Sequence, residues 1–113
     1  MLAHVVLFSF REGVSIAARH EATRRIRAMG ASFSRANKGL LLWQVEENLD
    51  QRKSWHIVEL AIFLDTDTFN AFRNNDAHRA IAEELSEISD WAVGDLNVQD
   101  QHLARIMQVA SGV

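Results

Sequence analysis

The sequence predicts one α+β domain in the order β-α-β-β-α-β, with four strands in a single antiparallel sheet and the helices on one face. Three observations lead there. Two β-branched and aromatic runs, residues 3–10 and 55–64, have the length and composition of buried strands. Stretches of three- and four-residue apolar spacing follow each of them and read as amphipathic helices. The 113 residues are 48% apolar, enough for one continuous core and too few for two domains.

Residues 3–10 (AHVVLFSF) alternate His4, Val6, Phe8 and Phe10 with Ala3, Val5, Leu7 and Ser9. Neither set is polar, so this strand is expected to be covered on both faces. Ser15 can cap a helix from Ile16, with Val14, Ala18, Ala22, Ile26, Met29 and Phe33 along one side. That helix is expected to fade near Gly30 or Ser34, with Asn37-Lys38-Gly39 as the turn. Residues 39–48 (GLLLWQVEEN) make the second strand, ended by Asn48, and residues 55–64 (WHIVELAIFL) the third. Thr66 can cap a short helix with Phe69 and Phe72, and Asp76 a second with Ile81, Leu85 and Ile88. Residues 91–98 (WAVGDLNV) close the sheet.

This order is the ferredoxin-like split βαβ arrangement. By alternation, the sheet face away from the helices would carry Val5, Leu7, Trp43, Val45, Ile57, Phe63, Leu96 and Val98, with Glu59 among them in need of a partner. A face so apolar is not expected on a monomer, and a two-fold homodimer through the sheet faces follows. The domain is expected to span residues 1–99, with 100–113 a C-terminal tail. Leu103, Ile106, Met107 and Ala110 fall on one side of that tail, which either docks on the partner or frays.

The formal charge is −3, from 12 Lys plus Arg against 15 Asp plus Glu, and no basic stripe points to a nucleic-acid partner. The run Arg19, Arg24, Arg25, Arg27, Arg35 and Lys38 scatters around a helix and reads as a solvated face. Without cysteine, disulfides, thiolate catalysis and Cys-based zinc sites are excluded, and a reducing compartment fits. The N-terminus lacks the features of a signal peptide, and no run is long enough for a membrane span. The expectation is a cytoplasmic protein with no membrane partner.

The opening His-Val-Val-Leu-Phe-Ser-Phe, followed by Arg-Glu-Gly-Val-Ser, resembles the first strand and helix start of the stress-responsive dimeric α/β-barrel (Dabb) family. Trp55-His56-Ile57-Val58-Glu59 is similar to that family's third strand. Phe69-Asn70-Ala71-Phe72, then Asp76-Ala77-His78, is similar to its helical segment ending in Ala-His. The resemblance covers residues 1 to 99 and implies two four-stranded sheets that meet as a dimeric α/β barrel with helices outside. It implies no single function, since the family includes ligand-binding proteins, plant stress proteins and a polyketide cyclase. The cyclase's catalytic helix histidine and two strand histidines match His78, His4 and His56, while Phe72 stands where its tyrosine would be and supplies no phenol.

His4 and His56 are expected on strand faces toward the helices, with His78 at the start of the covering helix, so that all three line one crevice. There His78 would act as a cofactor-free base and His4 and His56 would orient a small, partly apolar ligand, as in a cyclase or isomerase. Phe8, Phe69, Phe72 and Asp95 are the expected ligand contacts. The plainer alternative is a binding or stress-response module whose histidines are satisfied by backbone hydrogen bonds. Three imidazoles also suit a transition metal, but no carboxylate or H-x-x-x-H spacing supports one. The wider barrel fold is the only reason to consider haem, and fold analogy is a poor warrant for chemistry. Neither a metal nor a cofactor is expected. Trp43, Trp55 and Trp91 read as packing aromatics.

Overall fold

A strand with no polar face has to lie inside the sheet, and β1 (Leu2–Phe10) does. The structure, a computed structural model, describes residues 1–99, 101, 102 and 105. After β1 come α1 (Ile16–Ala36), β2 (Leu40–Glu47), β3 (Ile57–Phe63), α2 (Thr66–Arg73), α3 (Asp76–Ile88) and β4 (Ser89–Asn97). The sheet runs β2-β3-β1-β4, every pair antiparallel, which is the ferredoxin-like arrangement with its second helical segment in two pieces. Among the described residues no helix is long and apolar enough to cross a membrane. The expected apolar side of the tail (Leu103, Ile106, Met107, Ala110) lies outside the described residues.

Capping chemistry sets the helix starts. Ser15 accepts from the Ala18 amide, as its sequence position suggests. The other two caps fall one residue earlier than expected. Asp65, not Thr66, accepts from the Thr68 amide at 2.8 Å and from its hydroxyl at 2.7 Å. Asn75, not Asp76, accepts from the amides of Ala77 and His78. In both cases the residue outside the helix has the short acceptor side chain, and the next one takes the first helical position. The arginines of α1 pair at the surface: Arg24 with Glu21, Arg25 with Glu84 of α3, and Arg27 with Glu46.

Register corrects the expected assignment of faces. Val6 lies opposite Glu59 and Phe8 opposite Ile57, so the odd-numbered residues of β3 share the helix-facing side with His4, Val6 and Phe8. Trp43 and Val45 follow them, opposite Ala61 and Glu59. Trp43, Val45, Ile57, Glu59 and Phe63 therefore belong to the core side, not the outer face. In a strand apolar on both faces, a one-residue error in alternation moves every side chain to the wrong side. The outer face instead carries Val5, Leu7, Val58 and Leu60, all half-buried, with Leu42 and Leu96 exposed.

Two clusters fill the space under the helices. One joins Val6, Phe8, Val45 and Ile57 to Ile26 of α1 and Leu85 of α3; the other joins Leu40 and Phe63 to Met29, Phe33, Phe69 and Phe72. Trp43 touches both, and its ring lies against Gly30 so closely that a Cβ there would come within 1.8 Å of it. This explains why α1 runs through Gly30 and Ser34 to Ala36 instead of fading: the glycine is the seat of the indole. Alanine in a helix is ordinarily about 1 kcal/mol better than glycine. Overpacking a core costs about 1–3 kcal/mol, so Gly30→Ala is expected to destabilise the fold. Urea unfolding measures this, and a midpoint at or above the parent's would show that Trp43 moves aside freely.

Candidate functional site

A cavity of about 250 Å³ lies at the seam of the two clusters, between sheet and helices. Its floor is the inner face of the sheet: His4, Val6 and Phe8 from β1, Glu59 from β3, and Trp91, Val93 and Asp95 from β4. Its roof comes from Ile26 and Met29 of α1, Phe69 and Arg73 of α2, and His78, Ile81 and Leu85 of α3. β4 is an edge strand, and Trp91 and Val93 remain 39% and 52% exposed there. A mostly apolar hollow with a few convergent polar groups is the usual form of a small-molecule site.

The polar groups form a chain across the floor. His4 Nδ1 lies 2.5 Å from Asp95 Oδ1, and its Nε2 lies 3.5 Å from Glu59 Oε2. The sheet dictates this, since His4 is the register partner of Asp95 on one side and lies one inward-facing position from Glu59 on the other. The short contact is a charge-assisted hydrogen bond, in which the imidazole donates to the carboxylate. The long one is within ion-pair range but too long for a good hydrogen bond. Glu59 is only 4% exposed, and burial raises its carboxyl from 4.5 to about 8.

His78 sits in the first turn of α3, where the Asn75 cap fixes the backbone and the Phe72 ring lies 4.6 Å away, edge-on. Burial holds its imidazole below the ordinary histidine range, and the neighbouring His4 adds to this, while the Arg73 main chain opposes it. Its Nδ1 is buried without a hydrogen-bond partner among the described residues. A buried polar atom without a partner costs about 1–3 kcal/mol and calls for a functional explanation.

The structure thus brings together His4, His78, Phe8, Phe69 and Asp95 from the expected set, and leaves out two residues. His56 precedes β3, its Nδ1 accepts from the Phe10 amide at 2.9 Å, and its ring stacks on Phe10 beside a separate groove with Arg19 and His20. His56 lies beside Phe10 and the first turns of α1, at the opposite end of β1 from His4, which is why the three histidines do not meet. Phe72 is fully buried among Phe33, Trp43 and Phe63 and backs His78 without lining the cavity. The residues missed from the sequence are Glu59, given the wrong face, and Arg73, whose guanidinium lies 4.9 Å over the Phe69 ring. The signal for Glu59 was present: it is the one charged residue in an otherwise apolar strand.

The pH dependence of stability tests this geometry. The folded protein holds the Glu59 proton more tightly than the unfolded chain, so stability falls as pH climbs from about 4.5 towards 8 and changes no further above that. His78 acts in the opposite sense, losing stability as pH falls below its ordinary 6.5. Comparing Glu59→Gln with the parent cancels the histidine. The stability advantage of the variant should grow by at most about 1.4 kcal/mol per pH unit and level off above about pH 8. Urea unfolding of both proteins across this range checks it; a constant gap would mean that Glu59 is ionised throughout.

Comparison with known sequences matches residues 2–98 to the profile of the stress responsive A/B barrel domain. No curated protein matches the chain. Among solved structures, a dimeric protein of ferredoxin-like fold from Bacteroides fragilis is similar with a TM-score of 0.73 and 18% identity, covering 86% of this chain and 95% of that one. A Dabb protein from Mesorhizobium loti gives a TM-score of 0.71 at 11% identity, over 87% and 96% of the two chains. SnoaB from Streptomyces nogalater, a cofactor-independent oxygenase, gives 0.63 at 16% identity, over 88% and 93%. At such identities these likenesses speak for the fold alone. The profile match spans nearly the whole of the described β-α-β-β-α-α-β order, and the chain belongs to the stress responsive A/B barrel (Dabb) domain family.

Proposed function

We propose that this chain is a cytoplasmic homodimer that binds a small, largely apolar molecule between sheet and helices. On that molecule it moves protons without a cofactor, as a cyclase or isomerase does, with His78 as base. The observation that carries this reading is the gathering of His4, Glu59, Asp95 and His78 around one otherwise apolar cavity. Burial keeps His78 neutral and therefore able to accept a proton near neutral pH. His4, fixed by Asp95, is the orienting group. His56 is given a structural role, because its ring is already engaged by the Phe10 amide. SnoaB is a cofactor-independent oxygenase on this fold, which lends the reading only the weight of analogy.

A second reading has its own support. Both nitrogens of His4 face carboxylates and His56 caps a strand end, as expected of structural histidines in a non-enzymatic binding module. A thermal-shift screen of small phenols and cyclic ketones, followed by turnover assays on the hits, separates the two. For an enzyme, His78→Ala should lower turnover by about 10²–10⁴-fold, and His56→Ala should leave it near the parent's. Hits that bind, are not turned over and are indifferent to His78→Ala leave the module.

The homodimer rests on the apolar outer face of the sheet and on relatives of this fold, such as the Bacteroides fragilis protein, that are dimeric. Light scattering at micromolar concentration should give twice the chain mass of 12.8 kDa, and Leu60→Asp, at the centre of that face, should shift it to the monomer. A parent that is monomeric at that concentration rules out the dimer.

A further inference from the structure

The cavity holds a second titratable group whose placement the base alone does not explain. Glu59 is the buried carboxyl of the floor, Asp95 being the exposed one, and it is flanked across the sheet by Val6 and Val45. The charged and titratable groups around it are His4 from β1, Asp95 from β4, Arg73 from α2 and His78 from α3; α1 presents only Ile26 and Met29. His4 Nε2, at 3.5 Å, is near enough to feel its charge yet too far to hold its proton in a good hydrogen bond. Exposure falls along the chain from 39% at the Asp95 side chain to 8% at His4 and 6% at Glu59, a graded path from solvent to the buried carboxyl.

We infer that Glu59 is the catalytic acid of this cavity, working from the floor against His78 in the roof, on an apolar cyclic or aryl ketone with a hydrogen on the carbon next to its carbonyl. This deepens the enzymatic reading above and rests on it. His78 takes the proton from that carbon, and the electron pair of the C–H bond becomes the C=C bond of an enol. The carbonyl π pair moves to oxygen, which takes the Glu59 proton, leaving a carboxylate and an imidazolium. Reversal at the same or a conjugated carbon returns both protons, so the reaction consumes no oxidant or reductant. His4, held by Asp95, faces the carboxylate left in the apolar floor, and Asp95 connects it to solvent for exchange. The environments agree with these roles: burial raises Glu59 to about 8 and lowers His78, leaving a protonated acid and a neutral base together at neutral pH.

The probe is 2-tetralone, a bicyclic ketone, in D2O, with loss of its α-proton signals followed by proton NMR against a buffer control. The full-length parent should accelerate the exchange. Glu59→Gln, which keeps the shape and removes the acid, should lose about 10²–10⁴-fold of that acceleration, while tetralone still shifts the cavity amides. Glu59→Asp should recover part of the rate. The parental rate should fall as pH rises through about 8, where Glu59 loses its proton. A purely structural Glu59 would produce no such alkaline limb. Glu59→Gln at the parental rate, with His78→Ala inactive, overturns the acid and leaves the base. No acceleration by the parent overturns the pair, whereas ligands from the preceding screen would still uphold binding.

Discussion

The register between β1 and β3 is the constraint on which the rest depends. By placing Val6 opposite Glu59 and His4 opposite Ala61, it decides which side chains of two central strands lie under the helices. The β1–β4 register then sets Asp95 beside His4. Hydrogen-bonded ladders fix these pairings along seven positions in one case and nine in the other. The imidazole is therefore held between its carboxylates by backbone geometry and needs little from loops. A shift of one residue would send Glu59 to the outer face, His4 to the wrong neighbours, and the apolar cores apart.

That arrangement is costly for folding. A carboxyl 4% exposed among Val6, Val45 and Phe8 is strongly disfavoured as an anion, and a buried imidazole nitrogen without a partner adds strain of its own. An apolar side chain of similar size at either position would serve the core better. Phe63 and Phe72, both fully buried, supply the apolar contact that offsets them. Phe72 has a double part: it anchors α2 in the second cluster and presents its ring to His78.

Much of the architecture was legible because it rests on local rules. The strands, the long helix from Ser15, the split second helical segment and the order of elements follow from alternation, apolar spacing and cap residues. Of the expected site residues, His4, His78, Phe8, Phe69 and Asp95 line one cavity, each on an element whose existence the sequence marks. Glu59 was given the wrong face because residues 55–64 are apolar on both faces, and alternation without a polar set has no anchor; His56 was misjudged in its position along the strand, beside Phe10 and far from His4. Only the pairing partner fixes the phase, and pairing is a long-range property. Arg73 escaped notice because a helix-terminal arginine looks like any solvated charge until Phe69 is seen beneath it.

The edge strand of the sheet divides the cavity wall into two kinds of residue. Val6, Phe8, Ile26 and Leu85 belong both to the wall and to the core, so changing them alters the ligand space and the fold together. Trp91 and Val93, on the edge strand, belong to the wall while remaining partly exposed to solvent. Substitutions at exposed positions generally change stability little. Mutation can therefore reshape the outer half of the cavity while His4, Glu59, His78 and the ladder that aligns the floor stay as they are. The cavity wall along this one strand can vary in size and polarity at little cost to the scaffold.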